Sequence, residues 1–260
     1  MTNPLPESQY QELSCGQCQA GEGLDFDFSF AFQPIVDVEQ QRVVCYEALV
    51  RGVNGESAAS ILGRVQSENR YRFDQACRVK AIALAAQLGC ACRLSINFLP
   101  NAVYRPELCI KTTLAAAKKF GFPVENITFE FVESERPDNY RHLRDIVKSY
   151  QNLGFQTALD DFGTGYSGLA MLAEFQPDII KIDRVLLTDI ETNAARQAIV
   201  EGIVHIGNRL GSKLVAEGVE TAAEYRWLRN AGIGMFQGYF FARPGFEKLP
   251  AIAPDYLENY

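Results

Sequence analysis

Glu47, Asn97, Glu130, Asp160, Asp161 and Glu217 each lie at or just beyond the C-terminal end of a short β-rich segment. In a closed barrel of parallel strands those ends share one rim, so the six side chains would meet. Crowded carboxylates repel one another, and a site that collects five of them needs cations or raised pKa values to exist. Metal ions answer that need. The only two histidines, His142 and His205, fall inside predicted helices away from the strand ends. An all-oxygen donor set favours Mg²⁺ or Mn²⁺ over Zn²⁺. Adjacent Asp160 and Asp161 can set carboxylate oxygens on two ions, one residue bridging while its neighbour serves the second ion. Lys181, in the segment IIKID, adds a positive charge beside a water or a phosphate. These residue types at these positions suit hydrolysis of a phosphodiester by in-line displacement.

Eight β-rich segments could supply those ends: FSFAFQPIV, VVCYEALV, RLSINF, ITFEFV, FQTALDD, IIKID, KLVAEG and MFQGYFF. From the second onward, most gaps carry helical patterning. Stretches Phe73–Leu88, Pro106–Phe120, Asp138–Leu153 and Thr192–Leu210 are each followed by a glycine. Alternating strand and helix predicts an α/β fold, a TIM-like (β/α)8 barrel. Between the first two segments lie only Asp37 to Arg42, too few residues for a crossover helix, so the first strand should run antiparallel. Phe26, Phe28, Phe30 and Phe32 alternate onto one face and read as barrel packing rather than base-stacking residues; the segment Phe236–Phe241 reads the same way.

The 260 residues carry a net charge of −7, which leaves no broad basic surface for extended nucleic acid. No apolar run approaches the roughly twenty residues of a membrane span, so no membrane insertion is expected. Seven scattered cysteines suit reduced thiols and a cytoplasmic location. Residues 1–25 read as a polar amino-terminal arm or tail with a CxxC at Cys15 and Cys18, and 26–260 as the main domain. A zinc site at that CxxC would need two more ligands, which Cys90 and Cys92 or a second subunit could offer.

The motif series is more specific than any one of its parts. Tyr46-Glu47-Ala48-Leu49-Val50-Arg51 contains the tripeptide that names the EAL phosphodiesterases. The resemblance extends through Gln33-Pro34-Ile35, Ser95-Ile96-Asn97, Glu130 to Glu133 and Asp160-Asp161-Phe162-Gly163-Thr164-Gly165-Tyr166-Ser167. It continues through Lys181-Ile182-Asp183, Ala216-Glu217-Gly218-Val219-Glu220 and Gln237-Gly238-Tyr239 with Pro244. The chain thus resembles that family from residue 27 to about 246, with departures at Gly52 and Gly168, where a bulkier residue and a second serine are more usual.

The resemblance implies a metal-dependent phosphodiesterase that opens cyclic di-GMP to linear pGpG, with two Mg²⁺ or Mn²⁺ ions per site and inhibition by Ca²⁺. It assigns the metal ligands to Glu47, Asn97, Glu130, Asp160 and Asp161, none of them substituted. Lys181 and Glu217 fall to the catalytic water, Glu217 as general base or as an anchor for that water. Gln33, Leu49, Arg51, Asp183, Glu220, Gln237 and Pro244 match positions around the dinucleotide. The loop of Phe162, Gly163, Thr164, Gly165, Tyr166 and Ser167, held by Glu133, is implied to link metal binding to homodimer contacts and so to regulation by a protein partner. A catalytically silent cyclic di-GMP receptor is the competing reading; such relatives usually lose metal ligands. An unrelated barrel phosphodiesterase would fit the carboxylates alone but not the motif series.

Overall fold

The structure is a computed structural model, and it describes residues 23–103, 106–132, 140–165 and 168–252. Its first two strands, β1 (Ser29–Asp37) and β2 (Arg42–Arg51), form the expected antiparallel hairpin. Asp37 builds the turn by accepting from the Glu39 and Gln40 amides at 3.0 and 2.9 Å. The register sets Gln33 opposite Glu47.

From β2 onward the strands are parallel: β3 (Arg93–Asn97), β4 (Ile127–Val132), β5 (Gln156–Phe162), β6 (Ile179–Ile182), β7 (Lys213–Ala216) and β8 (Met235–Phe236). β8 then pairs antiparallel with β1 and closes the barrel. The expected topology is therefore the one observed. A short β9 (Gly245–Phe246), which the sequence pattern did not announce, adds to β1 through Ala31 and Phe32.

Helices α1 (Ala58–Leu62), α2 (Arg70–Gln87), α3 (Pro106–Cys109), α4 (Lys111–Phe120), α5 (Tyr140–Asn152), α6 (Gly168–Glu174), α7 (Arg184–Leu187), α8 (Ala194–Leu210) and α9 (Ala222–Asn230) follow the strands. The single helix expected over Pro106–Phe120 is interrupted only at Ile110, which keeps helical angles of φ −77° and ψ −20°. Gly121 and Gly211 end α4 and α8 in the left-handed region, at φ 67° and 76°, where a side chain would be strained.

Alternation along β4 sorts its residues: Phe129 and Phe131 face the helices while Thr128 and Glu130 face the lumen. Phe129 packs against Phe98, Tyr150 and Phe155 at ring distances of 5.7, 5.0 and 5.2 Å. Arg78 is buried in this cluster, 4.9 Å from the Phe129 ring, 2.8 Å from Asp74 and donating to Tyr150 Oη at 3.0 Å. Asp74 Oδ1 in turn accepts from the Leu99 amide at 3.0 Å, tying α2 to the loop just after Asn97. Phe26, Phe28, Phe30 and Phe32 are all buried, as their period implies.

Candidate functional site

Lys181 is the hub of the barrel's C-terminal mouth. It projects from β6 into the lumen, only 1% exposed. Its Nζ lies 2.7 Å from Glu217, 2.8 Å from Glu130, 2.9 Å from Asp160 and 3.3 Å from Glu47. Burial alone would lower its pKa, but those four carboxylates outweigh it and hold the ammonium well above the ordinary lysine value. One cation cannot neutralise four anions. Burial, reinforced by neighbouring carboxylates, lifts Glu130 to about 8 even against Lys181. Glu217 is raised well above the usual range for the same reasons.

Strict alternation would send Asp160 and Asp161 to opposite faces of β5. The chain avoids this with a bulge: Leu159 and Phe162 pair with Ile180 and Ile182, three residues of advance against two. Asp161 takes up the difference at φ 54°, in the left-handed region that aspartate tolerates better than most residues. Both carboxylates then join the mouth. Oxygens of Glu47, Glu130 and Asp160 lie within 4.8 Å of one another, and so do those of Asp160, Asp161 and Glu217. Asp160 belongs to both groups. Burial, then the charges of Asp160 and Asp183, raise Asp161 to about 6.

A chain of amides orients this cluster. Gln237 Nε2 donates to Glu47 Oε2 at 2.8 Å and sits 3.4 Å from Gln33 Oε1, while Gln33 Nε2 reaches the Ala242 carbonyl at 3.2 Å. Asn97 Nδ2 donates to Glu47 Oε1 at 3.3 Å. Above them opens a cavity of about 310 Å³ lined by Gln33, Glu47, Asp160, Asp161, Lys181 and Glu217, with Arg184, Glu220, Gln237 and Tyr239 among its walls.

The other expected residues take separate places. Glu220 reaches the cavity wall already paired with Arg184. Leu49 and Arg51 lie farther along β2 on the Glu47 face, and the Arg51 guanidinium folds onto the Val50 carbonyl at 2.7 Å. Asp183 caps α7, accepting from the Val185 amide at 2.7 Å. Pro244 immediately precedes β9. None of these four is among the residues lining the cavity. In the loop after Asp161, Phe162 is buried, Gly163 has φ 106° with Leu186 where a Cβ would go, and Thr164 Oγ1 returns to the Asp161 carbonyl at 2.9 Å. Gly165 follows; Glu133, Tyr166 and Ser167 lie outside the described residues, as do Cys15 and Cys18. His142 and His205 are on α5 and α8, and neither lines the cavity.

Three contributors had no assigned role. Ser95 Oγ donates to Glu130 Oε1, and its position two residues before Asn97, on the same strand face, was the available signal. Arg184 stands next to Asp183 with nothing to mark its partner. Tyr239 was read as core with its aromatic neighbours, yet it is 48% exposed and walls the cavity, stacked under the Arg243 guanidinium at 4.2 Å. The turn at Gly238 breaks the strand period before it.

A family model described as the EAL domain matches residues 23–244, most of the chain. The chain belongs to the EAL domain family. A standalone versatile EAL protein from Vibrio cholerae O395, solved in its c-di-GMP bound form, is 55% identical to it, with a TM-score of 0.87 over 90% of this chain and 99% of that one. Klebsiella pneumoniae BlrP1, solved as a manganese/cy-diGMP complex, is 38% identical, with a TM-score of 0.80 over 85% of this chain and 56% of that one. Among curated proteins, the cyclic di-GMP phosphodiesterase PdeR of Escherichia coli K12 is 34% identical over 179 residues, covering 67% of this EAL chain. The chain spans between 26% and 56% of the length of such curated relatives. No helix among the described residues is long and apolar enough to cross a membrane.

Proposed function

We propose that this EAL domain is a metal-dependent phosphodiesterase that hydrolyses cyclic di-GMP to linear pGpG. The observation that carries the reading is the pair of carboxylate groups sharing Asp160, of which Glu47, Asp160, Asp161 and Glu217 line an open cavity. The donor set fits divalent cations: it is all oxygen, it is over-charged for one lysine, and Asp160 Oδ1 is buried without a hydrogen-bond partner although Lys181 Nζ is 2.9 Å away. Glu47, Asn97, Glu130, Asp160 and Asp161 would hold two Mg²⁺ or Mn²⁺ ions. Bound there, such ions supply a more acidic water and charge neutralisation at phosphorus and the leaving oxygen.

The chain's own side chains do the rest. Glu217, 2.7 Å from Lys181, accepts a proton from the attacking water or anchors that water. Lys181 offsets negative charge as it develops at the phosphate. Gln237 and Asn97 keep Glu47 in one orientation, and Ser95 does the same for Glu130. Gln33, Leu49, Arg51, Asp183, Glu220 and Pro244 are proposed to meet the dinucleotide, Arg51 by swinging from its own strand to a phosphate. Ca²⁺, with looser and longer coordination, would inhibit.

The same reading makes residues 26–260 the catalytic domain of a cytoplasmic homodimer, with 1–25 as an arm and the 162–167 loop, with Glu133, as the entry point for a regulatory partner. The deciding experiment incubates the chain with cyclic di-GMP and Mg²⁺ or Mn²⁺ and follows pGpG by chromatography beside Glu217→Ala. Metal-dependent pGpG from the wild type alone is expected. Tight binding without turnover would replace this reading with the silent receptor.

A further inference from the structure

The opposite end of the barrel holds a second cavity of about 310 Å³, with Cys92 in its wall and Cys90 in contact with Cys92. Cys90 and Cys92 sit in the short connection between α2 and β3, both half-buried, with their Sγ atoms 3.9 Å apart in hydrogen-bond contact. Cys92 lines the cavity with Cys45, Arg42, Arg93 and Lys213. Small solutes therefore reach Cys92 from the end of the barrel opposite the mouth, through a cavity that runs inward to Ser95, Glu130 and Lys181.

The connection that carries them is held by backbone. The Cys90 amide donates to the Ala85 carbonyl at 2.9 Å, which pins the loop to the last turn of α2. Both thiols turn toward the Arg93 carbonyl, at 4.0 and 3.7 Å, so neither points away from the other. We propose that Cys90 and Cys92 are a modification site, a dithiol that closes reversibly to an intrachain disulfide when the protein meets a peroxide.

The hydrogen bond from Cys92 lowers the Cys90 pKa against the opposing effect of burial, and the same contact raises Cys92. The contact favours a thiolate on one sulfur of the pair, and with Cys90 as that sulfur Cys92 is the resolving thiol. In the first step the Cys90 sulfur attacks a peroxide oxygen; the O–O bond breaks, one oxygen leaves as water or alcohol, and Cys90 becomes a sulfenic acid. In the second, Cys92 sulfur attacks that sulfenic sulfur; the S–S bond forms, the S–O bond breaks, and the second oxygen leaves as water. Two electrons pass from the two sulfurs to the peroxide, and both thiol protons end in the released products. Closing a ring across one intervening residue strains it, so a thiol reductant should reopen it readily. The ring lies at the foot of β3, the strand that carries Ser95 and Asn97 to the mouth. This inference does not depend on the phosphodiesterase reading.

The test treats the full chain with hydrogen peroxide, alkylates it, and digests it with trypsin without reduction. Cleavage after Lys80 and Arg93 puts both thiols on one peptide, residues 81–93. That peptide should lose two hydrogens and both alkylation sites, and dithiothreitol should restore them. In Cys92→Ser, Cys90 should instead be trapped by dimedone as a sulfenic acid, with circular dichroism confirming the fold. Disulfide linkage of Cys92 to the Cys45 peptide, Cys90 driven to a sulfonic acid with Cys92 still alkylatable, or thiols that alkylate only after zinc is chelated would each overturn the proposal.

Discussion

Glu217 Oε1 lies 2.7 Å from Lys181 Nζ, the shortest of four carboxylate contacts to one buried ammonium. The two residues come from neighbouring strands, Lys181 within β6 and Glu217 just past β7, and the Glu217 amide donates to the Ile182 carbonyl at 3.0 Å. Their spacing is therefore fixed by the sheet itself. In the proposed reaction, a base or water anchor on this backbone starts close to its working position.

Glu217→Gln should keep the shape of the cavity while removing the charge and the proton acceptor. Turnover of cyclic di-GMP is expected to fall by about a hundred- to ten-thousand-fold, the usual range for a positioned acid or base. Binding measured by calorimetry in Ca²⁺ should change little. A variant that retains wild-type turnover would remove Glu217 from the chemistry.

Lys181→Met would leave Glu47, Glu130, Asp160 and Glu217 without their common partner in a buried site. Breaking a buried ion pair in this way costs about 3–5 kcal/mol, so urea unfolding in chelator should show a loss of that order. Mg²⁺ should recover part of the loss while turnover stays low.

Metal stabilisation should grow with pH. In the metal-free protein Glu130 titrates at about 8 against an ordinary 4.5, and Asp161 at about 6 against 3.8. The unfolded chain thus ionises first as pH rises, and the fold loses stability between about 4.5 and about 8. Cations that bind the ionised carboxylates displace those protons. The melting temperature in Mg²⁺ minus that in chelator should widen between pH 6 and pH 8; a constant gap would contradict the assignment of these carboxylates as ligands.

Gln237→Leu would release Glu47 Oε2 from its 2.8 Å hydrogen bond without touching a proposed metal ligand. Loss of an orienting partner typically weakens metal affinity by about 10–100-fold. Titration with Mn²⁺ should show that weakening with the fold unchanged.

Gly238→Ala probes a backbone contact. A Cβ at Gly238 would fall on the Val219 backbone, not on a side chain that could move aside. The loop bearing Glu217 and Glu220 must then shift. Turnover and melting temperature should fall together, whereas Gly55→Ala, with open space around its Cβ, should lose only what its φ of +90° costs.

The barrel was legible because its strands are short, apolar and separated by helices with clear ends, and the short Asp37–Arg42 connection announced the reversed first strand. The ring of Glu47, Glu130, Asp160 and Glu217 was legible because strand ends converge. What the pattern could not supply was convergence through side chains. That Lys181 would touch all four carboxylates depends on the barrel's closure, and that Asp161 would turn inward depends on a bulge, which alternation cannot express. Tyr239 was misplaced because its aromatic neighbours Phe236 and Phe241 are indeed core, and only the break at Gly238 turns it outward.

The hairpin that opens the fold has one more consequence. In a barrel of uniformly parallel strands the polypeptide would enter at the end remote from the carboxylate mouth. Here Ser29 pairs with Arg51, beyond Glu47 on the same strand. The chain enters its barrel beside the carboxylate rim. The first residue of β1 thus stands at the doorway of the site, and its backbone reaches the mouth without crossing the core.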